Sequence, residues 1–374
     1  MVCIAFTGGG TGGHIYPGLA VACRLKRRLD CRIFWIGSRA KLDKTIVEAA
    51  GLDFFSIPAG KLRRNFSLKN VSDFFKVAAG FFAARKILKR ERPVMLFSKG
   101  GFVSVPPCAA AASLGITVFT HESDYSPGLA TRINAGFALR SGGKIITAYG
   151  ETAERFPRKI QGEVLVLPNP VREEFRNADP RAGRAFLNLE NDRRILLVLG
   201  GSQGSGEINR LVRESLEDLT KWYTVVHQTG AGSTWPGEKP QGRYRPFSYI
   251  QGELPHVLAA AELVLCRSGA GTIWECAVAG KPMVLLPLAG SGTRGDQIEN
   301  ARFFERAGAA VILPPDRRRP EDLIRAIRDL AEDQEKQRAM AKASARIGAD
   351  DGAGRIAEVL RGALPGTDPE GELP

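Results

Sequence analysis

The residues Cys266-Arg267-Ser268-Gly269-Ala270-Gly271-Thr272-Ile273-Trp274-Glu275 follow the apolar run Leu263-Val264-Leu265 and lead into a helical pattern. Read as strand, Gly-rich turn and helix start, this stretch aims backbone N–H groups and the positive end of a helix dipole at one point. An anionic group such as a phosphate requires that arrangement. Glu275 then falls one turn into the helix, where its carboxylate can accept two hydrogen bonds from a vicinal diol such as a ribose. The competing reading makes Thr272-Ile273-Trp274-Glu275 a capping box, with Glu275 returned to a backbone N–H.

A second constellation lies near the amino terminus, in Thr7-Gly8-Gly9-Gly10-Thr11-Gly12-Gly13-His14. Gly8, Gly10 and Gly13 satisfy the spacing of a dinucleotide loop. The next strand, Phe34-Trp35-Ile36-Gly37-Ser38, ends without the acid that holds a nicotinamide ribose, although Arg39 offers a charge for a 2′-phosphate. His14 stands where a Walker loop needs Gly-Lys-Ser/Thr. So many glycines let a bulky ligand approach the backbone closely, and they leave His14 facing the strand ends. A neutral imidazole there can accept a hydroxyl proton, against the alternative of a histidine that only packs. His121-Glu122-Ser123-Asp124 ends another strand of the same sheet and converges on the same crevice, unless it supplies only caps and turn residues. In Gly290 to Asn300, Asp296 and Gln297 open a helix and offer hydrogen bonds to sugar hydroxyls, with N-capping by Asp296 as the competing explanation.

Strands alternating with helices must position these groups. Val2 to Phe6, Arg32 to Ile36, Val94 to Phe97 and Ile116 to Thr120 read as strands, interleaved with helical patterns that include Lys41 to Ala50 and Val103 to Leu114. The pattern predicts a parallel sheet covered on both faces, with ligands at the carboxyl ends of its strands. Ile195 to Leu199, followed by Gly200-Gly201-Ser202-Gln203-Gly204-Ser205-Gly206 and a helix, restarts the same strand, turn and helix. Two such starts predict two doubly wound α/β domains, with Pro168-Asn169-Pro170 as connector.

Length and composition agree. The 374 residues, 44% of them hydrophobic, suffice for two cores. No apolar run approaches the roughly 18 residues of a membrane span, and the amino terminus reads as a first strand instead of a signal peptide. The six cysteines are scattered in apolar surroundings without a Cys-x-x-Cys pair, the pattern of reduced thiols. The four histidines form no ligand cluster in sequence. A net charge of +13 predicts acidic partners.

Much of that charge lies between Lys61 and Arg92, among Lys61, Arg63, Arg64, Lys69, Lys76, Arg85, Lys86, Lys89, Arg90 and Arg92. Phe66, Leu68, Phe74, Phe75, Phe81 and Phe82 are interleaved with them, and the last four make two stripes on a helix. One stripe serves a core; the surplus predicts an interfacial patch on an anionic membrane, with a core helix bearing a solvated basic face as the alternative. Nucleic-acid binding is not expected, because aromatics at helical spacing are not a strand platform for stacking bases.

Seven ordered segments carry a resemblance that spans nearly the whole chain. They are Gly9-Gly10-Thr11-Gly12-Gly13-His14 with Pro17-Gly18-Leu19-Ala20, Gly100-Gly101-Phe102-Val103-Ser104, His121-Glu122, Asn169-Pro170-Val171-Arg172, Gly200-Gly201-Ser202-Gln203-Gly204, Arg267-Ser268-Gly269-Ala270 with Glu275, and Gln297 with Asn300-Ala301. Together they resemble the MurG family, the undecaprenyl-diphospho-muramoylpentapeptide β-N-acetylglucosaminyltransferases of bacterial peptidoglycan synthesis.

The resemblance implies a GT-B fold, two Rossmann-like domains facing a cleft. It implies inverting transfer of N-acetylglucosamine from UDP-GlcNAc to the C4 hydroxyl of the muramoyl sugar of lipid I, an undecaprenyl-pyrophosphoryl-muramoyl peptide, giving lipid II. Residues 1–167 would form the acceptor and membrane-associating domain, 168–364 the UDP-GlcNAc domain with its last helix able to pack back on the first, and 365–374 a disordered tail. By the same resemblance His14 and Glu122 are the catalytic candidates. Thr11, Gly12, Gly13, Asp124, Arg172, Ser202, Ile250, Ser268, Gly269, Ala270, Glu275 and Gln297 would meet the donor, and Gly10, Thr11, Gly101 and Asp124 the acceptor. No cofactor or metal is implied, and the expected location is the cytoplasmic face of the inner membrane, held peripherally. Ser123 and Asp124 stand where the family more often has Gln and Asn, and Asp296 where His or Gln often precedes the glutamine. The alternatives are another UDP-sugar enzyme of GT-B fold, such as a lipid glycosyltransferase or an epimerase, an NADP-dependent oxidoreductase, and a non-catalytic nucleotide-sugar sensor.

Overall fold

The computed structural model describes residues 1–60, 68–190, 193–201, 204–230, 242–289 and 295–364. Strands β1 (Val2–Thr7), β2 (Cys31–Ser38), β3 (Asp53–Ile57), β4 (Met95–Ser98), β5 (Thr117–Glu122), β6 (Ile145–Thr147) and β7 (Val164–Val166) form one sheet. Its order is β3-β2-β1-β4-β5-β6-β7, and every pair is parallel. Strands β8 (Ile195–Leu199), β9 (Thr224–Gln228), β10 (Tyr244–Phe247), β11 (Leu263–Cys266), β12 (Met283–Leu285) and β13 (Ala310–Ile312) form a second parallel sheet, ordered β10-β9-β8-β11-β12-β13. The central strands are apolar along their whole length, not alternating, because helices cover both faces. All residues of β4, β8 and β11 are buried.

Both sheets reverse their winding beside the first strand, between β1 and β4 in one and between β8 and β11 in the other. In such sheets the loops at the carboxyl ends part at this switch point and leave a crevice for ligand. The Gly8–His14 loop follows β1 and Lys99-Gly100-Gly101 follows β4; Gly200-Gly201 follows β8 and Arg267-Ser268-Gly269 follows β11. Topology alone thus brings the two glycine segments of each half together.

The chain divides into two compact units, Met1–Arg172 joined by the stretch from Asp351 onward, and Glu173–Asp350. In the first unit the helix Gly352–Gly362 packs on α1 (Tyr16–Arg28), with Ile356, Ala357 and Leu360 in the core of Ile4, Phe6, Trp35 and Phe97. Gly352 lies so close to the main chain that a Cβ would meet the Pro168 carbonyl at 2.1 Å. α2 (Lys41–Ala49) lies on this same face, with Val47 in that core and Ile46 packed against it, and the opposite face of the sheet is covered by α3 (Leu68–Glu91), α4 (Val105–Ser113) and α5 (Leu129–Arg140), which bury Ala84, Leu88, Cys108, Ala111 and Ala138.

Candidate active site

The first glycine loop is tied from below by side chains far away in sequence. Asp43, fully buried in the first turn of α2, accepts from Gly10 N with both carboxylate oxygens at 3.1 Å. The same carboxylate takes Ser38 Oγ at 2.6 Å and Ser38 N at 3.3 Å. Trp35 Nε1 donates to Gly8 O at 2.9 Å. Gly9 packs on the carboxylate, since a Cβ there would meet Asp43 Oδ2 at 2.3 Å. The Gly10 N–H is therefore engaged inside the protein, and what this residue offers a ligand is close backbone approach. Its φ of +86° and the Phe102 ring 2.9 Å from a notional Cβ both require glycine.

The loop closes as a short 3₁₀ turn, Gly12–His14, which runs into α1 through Tyr16-Pro17. His14, half-buried, lies against the second glycine turn: a Cβ on Gly101 would meet His14 Cδ2 at 3.0 Å. Thr11 and Gly13 are exposed and Gly12 is half-buried on the open side of the turn. Arg172 stacks its guanidinium 4.6 Å from the Tyr16 ring centroid, in the same unit as His14.

Glu122, at the end of β5, is 5% exposed and organises the turn that follows it. Its Oε1 accepts from Ser123 N at 2.9 Å and Asp124 N at 3.1 Å; its Oε2 accepts from Gly128 N at 2.9 Å and Thr131 Oγ1 at 2.7 Å. Four donors take up the acceptor capacity of a carboxylate. Asp124 is half-buried on the same turn. His121, fully buried, is kept neutral: burial and then the neighbouring Lys99 ammonium hold its pKa well below the usual histidine value.

In the second unit, β11 ends at Cys266 and the helix Ala270–Val278 starts with Gly269 as its N-cap, with no side-chain cap. Thr272 is thus inside the helix, which removes the capping-box reading of Thr272 and Glu275. Glu275 is half-buried one turn along. Ser268 is fully buried and serves the loop itself: its Oγ donates to Gln297 O at 2.7 Å, and its carbonyl accepts from Asn300 Nδ2 at 3.2 Å. Gln297 Oε1 accepts from Leu288 N at 2.9 Å. Gly295, at φ +76°, is the N-cap of the helix Asp296–Arg306, so Asp296 is its first helical residue and not its cap. Ile250 is buried and its N–H donates to Gln228 Oε1 at 3.0 Å. Ser202 lies outside the described residues.

Arg267 holds this turn to the neighbouring strand's loop. Its Nη2 donates to Ser205 Oγ at 2.8 Å and its Nη1 to Leu286 O at 3.0 Å, with Glu207 Oε2 at 2.7 Å. Arg318 reaches the same carboxylate at 3.1 Å to each oxygen. Burial opposes the charge on Glu207, but hydrogen bonds from Arg318 and Arg267 hold its pKa below the usual carboxylate range. Two arginines flanking one carboxylate leave a net positive field beside the helix start. Asp43, Trp35, Lys99, Glu207 and Arg318 act on the site without any local motif, so periodicity and spacing do not reveal them.

On α3, Phe81 packs against the core while Phe74, Phe75 and Phe82 are 64%, 66% and 69% exposed. Lys86 and Lys89 are exposed on the same helix. Lys61, Arg63, Arg64 and Phe66, and the side chains of Leu68 and Lys69, lie outside the described residues. Among the described residues no helix is long and apolar enough to cross a membrane.

Two parallel-sheet domains, each with glycine turns at its switch point and the second with a Gly-capped helix there, define a GT-B glycosyltransferase. Residues 4–142 match the glycosyltransferase family 28 N-terminal domain and residues 195–356 the family 28 C-terminal domain. The chain belongs to this family, within the group of UDP-N-acetylglucosamine–N-acetylmuramyl-(pentapeptide) pyrophosphoryl-undecaprenol N-acetylglucosamine transferases. It is 48% identical to the member from Treponema denticola, over 96% of this chain and 97% of that one. It is 45% identical to the Treponema pallidum member, over 96% and 95%. The crystal structure of Acinetobacter baumannii MurG shares the fold at a TM-score of 0.72, with 22% identity over 96% of this chain and 99% of that one. Membership of a transferase family sets aside the oxidoreductase and epimerase readings.

Proposed function

We propose that this protein transfers N-acetylglucosamine from UDP-GlcNAc to the C4 hydroxyl of the muramoyl sugar of lipid I, with inversion, forming lipid II. The observation that carries the reading is the Gly269-capped helix at the switch point of the second sheet, with Glu275 one turn along it. The backbone of Ser268, Gly269 and Ala270 receives the diphosphate, Glu275 the ribose, the Ile250 carbonyl the uracil, and Gln297, through its amide N–H₂, the sugar hydroxyls. Ser202, Arg172, Thr11, Gly12, Gly13 and Asp124 complete the donor set.

In the reaction the acceptor C4 oxygen attacks the anomeric carbon, the bond from that carbon to the UDP oxygen breaks, and the electron pair stays on the diphosphate. Helix N–H groups and the Arg267–Glu207–Arg318 cluster stabilise the developing charge. The hydroxyl proton passes to His14, whose imidazole lies against Gly101 at the mouth of the first crevice. Glu122, with both oxygens engaged by its own turn, holds Asp124 in place instead of taking the proton, and the backbone of Gly10, Thr11 and Gly101 receives the acceptor.

The lipid tail of the acceptor requires the enzyme at the cytoplasmic face of the inner membrane. Phe74, Phe75 and Phe82, with Lys86 and Lys89 nearby, support peripheral binding of α3 to an anionic bilayer. Nucleic acid is not a partner in this reading. The test is transfer of radiolabelled GlcNAc from UDP-GlcNAc to a soluble lipid I analogue. Formation of labelled disaccharide with release of UDP is expected; consumption of UDP-GlcNAc without a labelled acceptor product would overturn the reading.

A further inference from the structure

Lys99 follows β4 and is 1% exposed, yet no sequence motif explains a buried cation there. Its Nζ donates to Ser123 Oγ at 2.5 Å, and Ser123 Oγ donates onward to Asn169 Oδ1 at 2.6 Å. Ser123 and Asn169 are themselves buried. The Lys99 N–H binds Thr7 O at 2.8 Å, and its Cβ lies 3.3 Å from a notional Cβ on Gly8 and 3.7 Å from one on Gly18. Lys99 therefore lies against the glycine loop after β1 and the start of α1, bonds the turn after β5, and is linked through Ser123 to Asn169.

A buried ammonium needs a compensating charge and a hydrogen-bonded setting. The carboxylates that supply the charge are Glu122 and Asp124, while burial pulls the lysine down to about 8. Both oxygens of Glu122 are engaged by the turn, and Asp124 directly follows Ser123, the residue whose hydroxyl the lysine holds. Ser123, between the two acids, hydrogen-bonds Lys99.

We propose that Lys99 is a positioning residue of the acceptor turn: through Ser123 it fixes the placement of Asp124 and balances the negative charge which that aspartate brings. The proposal rests on the transferase reading above.

The test is a double-mutant cycle of Lys99→Met and Asp124→Asn in the full chain, with transfer to a soluble lipid I analogue as the assay. Lys99→Met is expected to lower kcat/KM for the acceptor by about tenfold or more, with the affinity for UDP, which lacks the donor sugar, within about twofold of wild type. Removing the Asp124 charge is expected to cost at least about fivefold less in the Lys99→Met background than in the wild type, because the two charges act as a unit. Ser123→Ala keeps both charges and breaks the link, so it is expected to reproduce the acceptor-specific loss, and it decides the matter if Lys99→Met does not fold. Additive effects in the cycle, or wild-type acceptor kinetics in Ser123→Ala, would overturn the proposal. Absence of transfer by the wild-type chain would instead overturn the function on which it rests.

Discussion

The imidazole of His14 lies directly on the backbone of Gly101, so that a methyl group added there would meet His14 Cδ2 at 3.0 Å. Gly101 also has a φ of +75°, where any side chain is strained. The second glycine turn is therefore a shaped wall for the histidine, not merely a flexible connection. Gly101→Ala is expected to lower kcat for GlcNAc transfer by about tenfold or more while UDP binding, proposed above for the other unit, is unchanged. Steady-state kinetics with varied donor and acceptor checks this; unchanged kcat would mean that His14 is not held by that contact.

His14→Ala and Glu122→Gln separate the two acidic and basic candidates. Loss of the proton acceptor is expected to reduce kcat by about 100-fold or more with UDP affinity retained. Glu122→Gln exchanges two acceptor lone pairs for donors that would face the Gly128 N–H and Thr131 hydroxyl, so its expected signature is a destabilised turn, about 1–3 kcal/mol in denaturant unfolding. Full transfer by His14→Ala would remove the histidine from the chemistry.

Asp43 is the buried anchor of the first glycine loop. Asp43→Ala leaves Gly10 N, Ser38 N and Ser38 Oγ without their acceptor and opens a small cavity, at a cost of about 2–4 kcal/mol. Urea unfolding followed by circular dichroism measures it. A change below about 0.5 kcal/mol would show that the loop does not depend on this carboxylate.

How much of this was legible in the sequence follows from where each partner sits. The glycine turns, His14, Glu122 and the Ser268-Gly269-Ala270 start all lie at strand ends, and local spacing suffices to find them. Asp43 could not be found that way, because it reads as an ordinary first-turn acid in α2 and meets Gly10 only after β1 and β2 pair in parallel. Lys99 reads as one basic residue beside a Gly-Gly turn; its burial follows from the β4–β5 register and the packing of α1. The α3 phenylalanines illustrate a half-legible case. Periodicity gives two stripes, but packing against the core selects Phe81 and leaves Phe74, Phe75 and Phe82 outside. Substituting those three by serine is expected to abolish sedimentation with anionic vesicles and leave transfer to a soluble acceptor intact; unchanged sedimentation would place the membrane contact elsewhere.

Stability should fall in mild acid. His227, buried in the second unit between Tyr244 OH and Asn209 Oδ1 at 3.1 Å each, is lowered by burial to about 4. The folded chain keeps this imidazole neutral, whereas the unfolded chain takes up a proton below about pH 6.5. Its contribution is complete above that pH and is lost as pH falls toward 4, about 3 kcal/mol in all. His121 acts in the same direction. Thermal unfolding at pH 7.5 and pH 5.0 is expected to show a lower Tm in acid, with a smaller difference in His227→Gln; a Tm that rises in acid would contradict the assignment.

The central claim is that a uridine diphosphate docks on the Gly269-capped helix with its ribose on Glu275. Isothermal titration of UDP into the wild-type chain and into Glu275→Ala tests this most directly. The account predicts saturable binding to the wild type and a Kd weaker by about tenfold or more in the variant, as expected for loss of a charge-assisted diol contact. Equal affinities in the two proteins would contradict it.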